Sequence, residues 1–72
     1  MAIIKSNLQN NLTTDEFSMV AYYVDRADEA YDCGEGHMVE AILKDAADVL
    51  SASKAYEAAK KVDCLYAELL LN

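Results

Sequence analysis

Phe17, Val20, Val24, Ala27 and Tyr31 recur at spacings of 3, 4, 3 and 4, which lines apolar side chains along one stripe of an α-helix. A second set, Ala55, Ala59, Val62, Tyr66 and Leu69, recurs at 4, 3, 4 and 3. Seams of this kind suit helices that pack nearly parallel or antiparallel to their neighbours. Nothing in the chain opposes that reading: it has no proline, and twelve of its 72 residues are alanine, the strongest helix former.

The punctuation between the seams sets the boundaries. Thr13-Thr14-Asp15-Glu16 fits a capping box with Thr13 as N-cap and Glu16 three residues on, and Leu12 and Phe17 stand where a hydrophobic staple requires them. A first long helix is expected from about Thr14 to Cys33, stopped by Gly34. A second is expected from about His37 to Leu50, burying Met38, Val39, Ile42, Leu43, Ala46, Val49 and Leu50, with Glu40, Lys44 and Asp48 on its wet side. Ser53 reads as the cap of a third helix from about Lys54 to Leu71, flanked by Ala58, Leu65 and Leu70. Short links join antiparallel neighbours, so the expected fold is all-α: a small up-down-up three-helix bundle forming a single domain over residues 1–72. Residues 1–12 read as an arm or short helix, because Ile4, Leu8 and Leu12 stand four apart but Ser6, Asn7, Asn10 and Asn11 weaken the helix. A chain this short buries only about 60% of its unfolded surface, so a second copy of itself is an expected source of further stability.

Charge is the other informative property. The formal net charge is -7, but residues 1–14 carry only Lys5, residues 15–48 carry ten acids against Arg26 and Lys44, and residues 49–72 balance three against three. With no clustered basic patch, direct binding to nucleic acid or to an anionic membrane is not expected. No apolar run approaches the roughly eighteen residues that span a bilayer, and Met1 to Asn10 lacks the layout of a signal peptide, so a cytoplasmic setting is expected. Two cysteines are too few for a disulfide framework.

On the first long helix Asp25, Asp28, Glu29 and Asp32 fall within an arc of roughly 100° beside the apolar seam. Tyr22 continues that face toward the N-terminus, and Glu35 extends it past the C-terminal end. Asp25/Glu29 and Asp28/Asp32 are like-charge pairs one turn apart, near a helix C-terminus that itself disfavours negative charge. Four carboxylates over eight residues give roughly one per 3 Å of axis, close to the ~3.4 Å of one DNA strand. A face that accepts such local penalties is a candidate for recognition, although solvated acids on a small protein also serve solubility.

Other candidates are thinner. Cys33, His37 and Cys64 offer three soft ligands without a fixed fourth, no EF-hand is spelled out after Asp28, and no metal or other cofactor is expected. Ser18, within Glu16-Phe17-Ser18-Met19, lacks the Asp-Ser-Leu context of a carrier protein's serine, and with no triad or phosphate loop no catalytic residue is assigned. Tyr56, Cys64, Ala67 and Leu71 widen the apolar arc of the last helix beyond a three-helix core and mark a self-association face, open to the arm or to a second copy. The expected function is therefore non-enzymatic. The acidic helix docks on the basic surface of a partner protein, one built for nucleic acid included, by analogy of size and charge with phage anti-restriction and anti-CRISPR proteins. The competing expectation is a homodimeric structural or regulatory module whose acids serve only solubility.

Overall fold

The computed structural model describes residues 2–71; Met1, assigned to the arm, and Asn72, at the end of the expected domain, lie outside them. Four helices follow one another, α1 (Ile3–Asn11), α2 (Thr14–Asp32), α3 (Gly36–Ala52) and α4 (Tyr56–Leu71), with no strand among the described residues. The arm is therefore a helix in its own right. Ile4 and Leu8 are fully buried on one side of it and Leu12 follows into the core, while its asparagines face outward or lie half-buried at its flank. Burial of the apolar stripe outweighs the weak propensity of the polar residues between.

The start of α2 is built as its sequence prescribes. The Glu16 amide donates to Thr13 Oγ1 at 3.1 Å and the Thr13 amide donates to Glu16 Oε1 at 2.9 Å, the two reciprocal bonds of a capping box. Leu12 is buried and Phe17 packs on the core beside it. At the other end Gly34 takes a positive φ of 75°; its amide donates to the Tyr31 carbonyl and that of Glu35 to the Ala30 carbonyl, a Schellman motif.

The end of α3 repeats this motif and corrects the expected boundary. Lys54 adopts φ 65°, with its amide on the Ser51 carbonyl and that of Ala55 on the Leu50 carbonyl, each at 2.9 Å. Ser53 is thus the C-cap of α3 rather than the N-cap of the next helix, α3 runs on through Ser51 and Ala52, and α4 begins at Tyr56. Gly36 likewise belongs to α3, and Cys33 caps α2 from just outside it.

α3 packs on both α2 and α4, while α1 packs on α2 and touches α4; α2 and α4 have little direct contact. The core holds Val20, Val24 and Ala27 of α2, Val39, Leu43, Ala46 and Leu50 of α3, and Ala58, Val62 and Leu65 of α4, joined by Ile4 and Leu8. Three residues expected inside are exposed instead: Tyr31, Met38 and Leu70, each within one turn or so of a helix end, where neighbouring helices no longer cover the seam. The radius of gyration of 10.9 Å matches the roughly 11 Å of a compact chain of this length.

Candidate functional site

α2 turns its polar face away from α3 and α1, and on that face stand Asp25, Glu29 and Asp32, with Glu35 in the following turn, all exposed. Tyr22 is 68% exposed. Its ring meets that of Tyr23 edge-on at 5.8 Å between centroids, and Tyr23 packs inward on the core. The side-by-side tyrosines thus divide as two adjacent helical positions must. Arg26 lies over Tyr22, its Cζ 5.6 Å from the ring centroid and its Nη1 donating to the Tyr22 hydroxyl at 3.3 Å. A lone cation held against an aromatic ring therefore borders the acids.

Asp28 does not belong to this surface. Only 8% of it is exposed, and its carboxylate accepts two hydrogen bonds from the start of α1: from the Ile4 amide to Oδ1 at 2.8 Å and from the Lys5 amide to Oδ2 at 3.0 Å. Those are two of the amides that a helix cannot satisfy within its first turn, and Ala2 at the N-cap has no side chain to meet them. A carboxylate placed there is also favoured by the helix dipole. The assignment of Asp28 to partner binding is thus corrected: α1 covers that edge of the acidic arc and turns one of its charges into a structural cap.

The burial of Asp28 under α1 has two consequences. One like-charge pair, Asp28 and Asp32, is offset by the contribution of Asp28 to α1, so the acidic face bears less unexplained local penalty. Three exposed carboxylates over the eight residues from Asp25 to Asp32 now average about 4 Å of axis each rather than about 3 Å, a looser spacing than the ~3.4 Å of one DNA strand. What remains on α2 is a row of exposed acids, Asp25, Glu29 and Asp32, with Glu35 exposed in the turn beyond and Tyr22 exposed on the N-terminal side.

The candidates on α4 keep their places but do not make a continuous patch. Tyr56, Cys64, Ala67 and Leu71 are all exposed, Leu71 by 87%. Lys60, exposed, falls within the same arc and interrupts it, and Asp63, also exposed, borders it beside Tyr56. α1 does not cover it either: Asn7 and Asn11 of α1 meet Lys60, Lys61, Cys64 and Glu68 across a polar cleft, where Lys61 Nζ donates to the Asn11 carbonyl at 3.0 Å.

Cys33 and Cys64 are free and exposed. Among the described residues no three His, Cys, Asp or Glu side chains are placed to share a metal ion, so Cys33, His37 and Cys64 are not brought together. His37 instead borders an open groove of about 580 Å³ between α3 and α4, with Glu40, Lys44, Asp63 and Tyr66 around it. The sequence reading missed this groove; its signal is the pair of small residues Ala41 and Ala67 on its walls, which leave space between two helices that larger side chains would fill. No helix among the described residues is long and apolar enough to cross a membrane. Comparison with protein-family models, with curated proteins and with solved structures finds no significant match for the chain.

Proposed function

We propose that the protein works by protein-protein contact, without chemistry of its own, and that the acidic ridge of α2 docks on a basic surface of a partner protein. The observation that carries this reading is the concentration of charge: a net -8 within residues 15–48 of a chain that is otherwise close to neutral, with Asp25, Glu29, Asp32 and Glu35 exposed on one side. Concentrated charge of one sign steers association with an oppositely charged surface and makes it salt-dependent. Tyr22 supplies the apolar area that charge alone lacks, as an aromatic anchor beside the ridge. A partner groove built for nucleic acid is a suitable docking surface, and inhibition of such a partner, as anti-restriction and anti-CRISPR proteins achieve, is the activity proposed. A reducing, cytoplasmic setting in which Cys33 and Cys64 remain thiols fits this role, as does an up-down-up course for α2, α3 and α4, which their three-residue connections favour.

The test is capture of partners from the native host with the wild-type chain and with D25N/E29Q/D32N/E35Q side by side. The expected result is a partner lost from the variant and weakened steeply between about 50 and about 300 mM salt, as screening of exposed charges requires. Equal capture by both chains, insensitive to salt, overturns the acidic docking. A second reading, self-association through Tyr56, Cys64, Ala67 and Leu71 of α4, draws on the exposure of Leu70 and Leu71 at the end of that helix.

A further inference from the structure

α1 has nine residues, short of the roughly 12–15 that sustain a helix alone in water. It also lacks terminal devices of its own: no side-chain cap at Ala2, no acid in its first turn and no base in its last. Other helices supply all three. Asp28 of α2 receives the Ile4 and Lys5 amides, Lys61 of α4 donates to the Asn11 carbonyl, and the core takes up Ile4 and Leu8. The start of α2 does not lean on α1 in return, because it is capped by Thr13 and Glu16. Leu12 and Thr13, both extended (φ -115°, ψ 153° and φ -68°, ψ 163°), are all that joins the two helices.

We propose that α1 is a releasable cover, a helix that exists only while docked and leaves as a unit while α2, α3 and α4 stay folded. Its departure uncovers the sides of α2 and α4 that it packs against and returns the Asp28 carboxylate to the face that holds Asp25, Glu29 and Asp32. Between Asp25 and Asp32 the docked form thus presents three acids and the released form four, at the closer spacing read from the sequence. As a regulatory device for partner binding the cover rests on the acidic docking proposed above; as a property of the fold it does not.

Residue-resolved hydrogen exchange on the full chain, with no partner present, tests it. In the wild type the amides from Ser6 to Leu12 are expected to exchange through one shared opening, lower in free energy than global unfolding and with a smaller but finite denaturant dependence, while the slowest amides of α2, α3 and α4 exchange only through global unfolding. D28A is expected to speed α1 exchange by roughly ten- to a hundredfold, the effect of losing hydrogen bonds to a charged group, with the ratio of α1 to body rates raised. One common opening for α1 and the body in the wild type overturns the proposal, and this result requires no variant to fold. Equal acceleration of α1 and the body in D28A also overturns it. Because no partner takes part, failure here leaves the docking reading standing, and failure of partner capture leaves the cover standing.

Discussion

Lys54 is, among the described residues, the one non-glycine with a positive φ. It occupies the position after the α3 C-cap that Gly34 occupies after that of α2. A side chain at φ 65° crowds its own carbonyl, at a cost of about 1–2 kcal/mol, from which the greater chain entropy of unfolded glycine must be subtracted. Lys54→Gly is therefore expected to stabilise the protein by about 0.5–1 kcal/mol, which in a chain this small raises the thermal midpoint by about 2–8 °C. A midpoint that stays level or falls would show that the turn bears no such strain. The same residue explains a misread boundary: with lysine where glycine is the usual stop signal, the run Ser51-Ala52-Ser53 looked like the break, and Ser53 like the next cap. Asp28 was misread for a different reason. A helical wheel gives the angle of a residue on its own helix but not what lies against it, and Asp28 sits at the edge of the arc that α1 covers. With no capping side chain at Ala2, the first amides of α1 are left to water or to a side chain from elsewhere, and Asp28 meets two of them.

At the scale of elements, three helices were legible because long seams and strong punctuation agree. The capping box of Thr13 and Glu16 is formed as written, and Thr13→Ala is expected to cost about 1 kcal/mol, measured as a lower urea midpoint with unchanged slope. An unaltered midpoint would mean that water serves the α2 amides as well as the threonine does. Because α2 belongs to the cooperative body, that loss should register equally by probes on α3 and α4. α1 was only half legible. The four-residue spacing of Ile4, Leu8 and Leu12 was visible, but nine polar-rich residues do not declare themselves a helix, and what makes them one lies 23 to 50 positions away, at Asp28 and Lys61.

For the whole molecule, charge and shape answer different questions. The concentration of acids was fully legible, since counting by segment needs no coordinates, whereas the groove beside His37 depends on how α3 and α4 sit together and was not. Self-association is a question of mass: pairing through α4 predicts a wild type that sediments as a dimer at micromolar concentration and a Leu71→Glu variant that sediments as a monomer. A wild type of monomer mass, or a variant of unchanged dimer mass, removes that interface. The order of contacts carries a mechanical consequence as well. α3 holds α2 on one side and α4 on the other, and α1 ties the far sides together, so the four helices close a circuit in which each element has two neighbours. Opening that circuit at α1 leaves a row of three with a single central spine, and its two outer members gain freedom to pivot about α3. The nine residues of α1 thereby act as the cross-brace that sets the stiffness of the entire frame.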